Sequence, residues 1–344
     1  MPKKKMQFGL AIRGQYSKEQ NISACFKELI MECKKAEMLG FDSITKTSHY
    51  STAPFQAFQQ FPLLARLTAE TKRVRLNAGI ILLSLHKPLD IAEQLATIDI
   101  MSEGRVICGV ALGYREVEFA SFGAEIKKRS KLFEENLIAL RRLWTEDTVS
   151  MKGSHFELKE ASCCPQPLQL PHPPIWVGAN AEPAIRRAAQ LGDCWYINPH
   201  NKISTIKKQL EIYKKALDKA GKPFPDEFPM RREVFVAETR KEALHYAGPY
   251  LKQKYDAYKK WGQGNQMPET DDNLSAAFDE LAGDRFIIGS PEEVTDQIVN
   301  LNREIGTNHL IMSINWADMP HSLTMETMEI LSERVFPQVR QVIC

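Results

Sequence analysis

Hydrophobic and polar positions follow two alternating periods along most of the chain. Short apolar runs suited to buried parallel strands are followed by stretches where apolar residues recur every three or four positions, the spacing of one helix face. Residues 7–12 read as a first strand. Residues 22–39 read as an amphipathic helix, with Ile22, Phe26, Leu29, Ile30, Cys33 and Ala36 on one side. A second strand is predicted over 42–46, a helix around 61–70 and a third strand over 74–83. Pro88 opens the next helix, which runs to Met101, because proline suits the first helical turn. A strand over 106–111, a helix over 131–144 and a hairpin over 148–158, turning at Lys152-Gly153, come next. Strands over 175–177 and 194–197 are each followed by a helix, from Pro183 and over 203–220. A seventh strand over 233–237 precedes a helix from about Arg240. In "GSPEEV" Ser290 caps a helix, Pro291 sits in its first turn and Glu293 completes a capping box. The eighth strand covers 309–314 and a last helix 323–335.

Residues 254–282 break the pattern. They are polar, rich in Gly, Asn, Asp and Gln, and without steady periodicity, so they read as an insertion forming a mobile lid. Eight strands alternating with helices predict a (β/α)8 TIM barrel with insertions, a single α/β domain over 1–344. The competing doubly wound sheet usually carries a Gly-x-Gly-x-x-Gly turn after its first strand, and "LAIRGQYS" has none.

Composition narrows the class. The 344 residues are 43% hydrophobic and 26% charged, and 45 basic against 43 acidic residues give a net charge of +2. Such a balance offers no attraction to nucleic acid or an anionic membrane. No apolar run approaches the length of a membrane span, and the one after Lys5 is broken by Gly9 and halted by Arg13, so no secretory segment is expected. The seven cysteines include no Cys-x-x-Cys. Cys25, Cys33 and Cys108 fall on apolar faces, as expected of core thiols in a cytoplasmic protein. No cluster has metal-ligand spacing.

In such barrels chemistry sits at the C-terminal ends of the strands. Those ends supply Arg13 and Gly14; Ser48, His49 and Tyr50; Ser84; Gly113, Tyr114 and Arg115; Gly178, Ala179 and Asn180; Asn198 and His200; Asn315 and Trp316. The set is rich in aromatic, amide and glycine groups. It holds no acid pair for glycoside hydrolysis, and Lys46 is the nearest approach to a Schiff-base lysine. His49 is either a structural histidine or a general acid/base. Gly79 marks either a ligand's close approach or relief of crowding. In "IWVGANAEPAIRRAAQLG" a helix start follows a strand end, which is either a phosphate site or a plain loop with Asn180 as the cap.

Several long stretches, among them "VRLNAGIILLSLHKPLDIAEQLATIDIMSEGRVICGVALGYREVEFASFG", "RSKLFEENLIALRRLWTEDTVSMKGSHFEL", "PPIWVGANAEPAIRRAAQLGD" and "GSPEEVTDQI", resemble the bacterial luciferase-like flavin-dependent monooxygenases. The resemblance implies a barrel with a flavin in its mouth. Flavin contact falls on Ala78, Gly79 and Ile80, on Leu112 and Tyr114, and on Trp176, Gly178, Ala179 and Asn180. The Gly79-Ile80 segment matches a bulge that often holds a cis peptide. His49 matches a histidine near the reactive edge of the flavin, although the family commonly has an acid just before it and this chain has Ser48. The implied activity uses reduced FMN, supplied by a flavin reductase, and dioxygen, through a flavin peroxide, to oxygenate a small organic substrate. A homodimer is implied as well. The family also contains deazaflavin-dependent hydride-transfer enzymes and non-catalytic flavin-binding subunits, which stand as alternatives.

Overall fold

A computed structural model of the chain describes residues 5–264, 267, 268, 271 and 278–343. The first half runs β1 (Gln7–Ala11), α1 (Ile22–Met38), β2 (Ser43–Lys46), α2 (Gln60–Glu70), β3 (Arg75–Leu82), α3 (Pro88–Met101), β4 (Val106–Ala111), α4 (Glu116–Ser121) and α5 (Arg129–Thr145). A small antiparallel hairpin of β5 (Val149–Lys152) and β6 (Glu157–Ala161) stands apart from the main sheet. The second half runs β7 (Ile175–Gly178), α6 (Glu182–Leu191), β8 (Cys194–Tyr196), α7 (Ile203–Ala220), β9 (Pro229–Val236), α8 (Arg240–Lys260), α9 (Phe278–Gly283), β10 (Ile287–Gly289), α10 (Pro291–Ile305), β11 (His309–Ser313), α11 (His321–Ile330) and α12 (Phe336–Ile343).

The nine remaining strands form one parallel, curled sheet in the order β10-β9-β11-β1-β2-β3-β4-β7-β8. One residue past β8, Ile197 donates its N–H to Pro229 O and accepts from Arg231 N–H, joining the far end of the order back to β9.

Alternation along each strand separates two cores. Phe8 and Leu10 belong to the core between sheet and helices, where Phe8 stacks on Phe336 of α12 at 4.0 Å between ring centroids. Ala11, Ile107, Trp176, Cys194, Tyr196 and Ile311 form a second cluster, made of strand residues alone, on the concave side. Helix ends follow their capping chemistry. Asn21 accepts from the N–H groups of Ser23 and Ala24, and Ser290 and Thr239 each complete a capping box, with Glu293 and Glu242. Gly306 ends α10 at φ 82°, a conformation that costs a side-chain-bearing residue and not glycine. Cys25, Cys33, Cys108 and Cys194 are buried free thiols.

The structure departs from the sequence expectation in several places, the short helix α4 among them. β9 starts at Pro229, four residues before the expected strand, because Arg231 and Arg232 are strand residues despite their charge. β10 was not expected. The C-terminal helix passes through one π-helical turn at Leu331–Val335 and continues past Val335 to Ile343. The irregular stretch expected over 254–282 is partly regular: α8 continues to Lys260, with Leu251, Tyr255 and Ala257 buried, and α9 begins at Phe278. Residues 265, 266, 269, 270 and 272–277 lie outside the described residues, and the mobile lid expected there lies outside them too. Among the described residues no helix is long and apolar enough to cross a membrane.

Candidate active site

The C-terminal ends of β2, β3, β4, β7 and β8 surround a cavity of about 380 Å³, within the range of small-molecule sites. His49, Gly79, Ile80, Leu112, Tyr114, Gly178, Ala179 and Asn180 line it together. Ala78 and Trp176 do not. Ala78 is fully buried in the core facing the helices. Trp176 turns to the concave core, with ring centroids 5.4 Å from Tyr196 and 5.2 Å from His309, and the Arg75 guanidinium 5.8 Å from its ring.

The floor is a bulge in β3. Pairing with β4 shifts register between Ala78 and Ile81, and the Gly79-Ile80 peptide is cis. Opposite it, a Cβ at Gly109 would lie 2.9 Å from both Gly79 Cα and Ala78 O, so only glycine fits there.

The histidine has an acid partner that neighbouring sequence does not reveal. His49 Nδ1 donates to Glu118 Oε1 at 2.9 Å, and Glu118 is fully buried in α4. The same oxygen accepts the Tyr50 N–H at 2.9 Å and Arg115 Nη1 at 3.4 Å. A carboxylate there fixes the Nδ1–H tautomer, which leaves Nε2 to act on whatever fills the cavity. Arg115 also donates to Tyr50 O and Ser51 O, and its guanidinium lies 4.2 Å from the centroid of the Trp261 ring. The loop after β2 is thus tied to α4 and to the end of α8.

At the opposite end of the cavity, α6 begins at Ala181 with no side-chain cap. Asn180, the cap suggested by the sequence, is engaged otherwise: its side chain accepts from Asn198 and its carbonyl from Gln209. An uncapped helix start and Arg187, which lines the cavity while paired to Glu134 at 2.6 Å, suit a phosphate. Between the two ends, Ile80, Leu82, Leu112 and Ala179 offer an apolar surface for a flat ring system. Tyr114 Oη is buried without a partner among the described residues. These features fit a flavin: an apolar surface beside the bulge for its ring system and an uncapped helix start for a phosphate.

Burial and crowded cations shape the third wall. Lys254 is lowered to about 8, by burial first and by Arg231, against the opposing pull of its partner Glu233. Burial and the cations Lys254, Arg231, Arg232 and Arg285 push His200 well below its ordinary value, so it is neutral. Burial, with Arg231 assisting, lowers Lys46 in β2 to about 8. Sequence reasoning missed Glu118, Trp261 and Lys254. Among the described residues no group of three His, Cys, Asp or Glu is placed to hold a metal ion.

Comparison with known proteins agrees with this geometry. The sequence profile described as "Luciferase-like monooxygenase" matches residues 6–309. The chain is 26% identical over 310 residues, 85% of each chain, to the oxygenase component of flavin-dependent trigonelline monooxygenase from Acinetobacter baylyi. It is 30% identical over 292 residues, 80% of this chain and 77% of the other, to FMNH(2)-dependent dimethylsulfone monooxygenase from Pseudomonas putida. It is also 28% identical over 336 residues, 91% of this chain and 95% of the other, to F420-dependent glucose-6-phosphate dehydrogenase from Amycolatopsis mediterranei. Monooxygenase RslO1 from Streptomyces bottropensis superposes with a TM-score of 0.86 at 25% identity, over 96% of this chain and 99% of that one. With a profile match across most of its length, the chain belongs to the luciferase-like monooxygenase family of flavin-dependent oxidoreductases.

Proposed function

We propose that this protein is the oxygenase of a two-component system: it receives reduced FMN from a separate flavin reductase and uses dioxygen to oxygenate a small organic substrate. The observation that carries this reading is His49, anchored through Nδ1 on the buried Glu118 and lining an apolar cavity floored by the Gly79-Ile80 bulge. Bound reduced FMN would supply the electrons and activate dioxygen. The chain's own residues do the rest. Ile80, Leu82 and Leu112 exclude water from the reacting face. His49 Nε2 holds or moves a proton there, and Glu118 keeps its imidazole oriented. The uncapped start of α6 and Arg187 bind the phosphate. The acid missing at position 48 is thereby supplied from α4, which supports a catalytic role over that of a flavin-binding subunit without turnover.

The same reading includes a closed (β/α)8 barrel, supported by the Ile197–Met230 bridge, and a homodimer. Light scattering after size exclusion measures the latter directly.

A second reading, hydride transfer with a deazaflavin coenzyme, is favoured by the similarity to an F420-dependent dehydrogenase over 91% of this chain. Anaerobic titration with reduced FMN, then rapid mixing with oxygenated buffer, separates the two. Binding of reduced FMN and an oxygen-dependent transient absorbance are expected. Tight binding of a deazaflavin, with no reduced-FMN binding and no transient, would replace the first reading by the second.

A further inference from the structure

Beside the main cavity lies a recess of about 40 Å³, room for roughly three water molecules or one small charged head group. It opens among the ends of β1, β9 and β11 and the last turns of α8. His49, Arg231, Lys254 and Tyr258 line both spaces, so the recess is a side arm of the same site.

Its charges do not balance. Arg13, Arg231 and Lys254 line it, and no carboxylate does. Arg13 is 3% exposed, and its Nε and Nη2 are buried with no hydrogen-bond partner among the described residues. Arg231, half-buried, is held at Nε by Ser313 Oγ, 2.8 Å away, and lines both spaces. Burying a guanidinium without an acceptor is costly, so such a group normally finds one.

The nearby acids cannot serve. Glu32 accepts from His321 Nδ1 and Asn315 Nδ2 at 2.9 and 3.1 Å. Glu233 accepts from Lys254 Nζ and Trp316 Nε1. Glu118 gives Oε1 to His49, Tyr50 and Arg115, and its Oε2 is buried without a partner among the described residues. None of these three carboxylates lines the recess, and the two guanidinium groups that do share a space the size of an oxyanion.

We propose that the substrate carries an anionic group, a carboxylate or a sulfonate, seated in this recess between Arg13 and Arg231, with the group to be oxidised extending past His49 into the main cavity. The inference rests on the proposed oxygenase reading for the word substrate, and on the charge accounting alone for the anion. Guanidinium suits the task because its planar fork can bind two oxygens of one head group. Lys254, already paired with Glu233, adds field more than contact. The apolar stretch from Leu112 to Ile80 then takes the uncharged part of the molecule.

The test is calorimetric titration of the full-length protein, with and without reduced FMN under anaerobic conditions. The ligands are octanoate, octane-1-sulfonate and benzoate, each paired with its uncharged amide or sulfonamide. At least one anion is expected to bind about tenfold or more tightly than its neutral partner. Arg231→Gln and Arg13→Gln should each remove most of that preference, and Arg231→Lys should restore part of it, with circular dichroism melting showing that all three variants fold. Equal affinity for anion and amide, absence of any anion binding, or an unchanged preference in both glutamine variants overturns the proposal. Discrimination of anion from amide by a protein that fails to bind reduced FMN keeps the anion seat and overturns the oxygenase reading instead.

Discussion

Two histidine–glutamate pairs sit at opposite ends of the same sheet. At the N-terminal end, His309 is fully buried. Its Nδ1 donates to Glu227 Oε1 at 2.7 Å, its Nε2 meets Ser43 Oγ at 2.8 Å, and Arg75 holds the same carboxylate at 2.6 Å. At the C-terminal end, His49 uses only Nδ1, on Glu118, and its partly exposed ring faces two cavities. The chemistry of the two pairs is alike, but the number of committed nitrogens differs. A histidine with both nitrogens engaged is a strut, and one with a nitrogen left over is a tool.

The difference can be broken by mutation, starting with the largest effect. His49→Ala should lower oxygen-dependent turnover with reduced FMN by about 10²–10⁴-fold while leaving the melting temperature nearly unchanged; His309→Ala should do the reverse. Steady-state assays beside thermal melts check both, and a fully active His49→Ala protein would end its assignment.

The His309–Glu227 pair also predicts a pH dependence. Burial raises the Glu227 carboxyl, but the hydrogen bond and charge of His309, with Arg75, outweigh it and hold the group at about 2, against an ordinary 4.5. The depressed value means that its stabilisation is present above pH 4.5 and is lost as pH falls from there through 2. It is worth roughly 2–3 kcal/mol. Urea unfolding of Glu227→Gln should show that loss already at pH 7 and a flatter profile between pH 4.5 and 2.

Glycines at the two ends sharpen the contrast further. A Cβ at Gly9 would come 2.8 Å from Ile311 Cδ1 and would collide with the Ser43 hydroxyl, so Gly9→Ala should cost about 1–3 kcal/mol by denaturant titration. A Cβ at Gly178 would meet Ala111 Cβ at 3.4 Å and Ile80 Cγ2 at 3.6 Å, ordinary contacts. Gly178→Ala should therefore hold stability within about 0.5 kcal/mol. Its cost should fall instead on FMN affinity, a few-fold by equilibrium titration, because the methyl group fills cavity space.

What the sequence made legible follows the same division. The apolar runs of β1, β3 and β4 announce themselves because their side chains are buried on both faces, and Pro88 and Ser290 mark helix starts by local chemistry that needs no partner. Arg231 and Arg232 hid the start of β9, since a buried arginine in a strand reads as surface. The end of α8 was hidden by the same inversion: its exposed face is polar and its buried face sparse. Glu118 left no signal at all. An acid in the first turn of a six-residue helix looks solvated, and only the fold brings it to His49, 69 positions away. The strand-end rule found His49, Tyr114 and Asn180 because it uses geometry common to every such barrel. Trp176 came from the resemblance instead, which did not separate it from Gly178, because which residue near a strand's end faces the mouth depends on pleat.

Pleat also gives the β3 bulge a meaning beyond its contacts. Before it, Leu76 and Ala78 pack toward the helices; after it, Ile81 and Leu83 do. The even phase becomes odd across one surplus residue. Removing Gly79 would restore unbroken alternation and leave a strand better suited to pairing with β4, with no raised floor for a cofactor. In genetic terms, three nucleotides separate this sheet from a more regular one, and under the proposed function selection for activity has to hold that extra codon against the sheet's own preference for regularity.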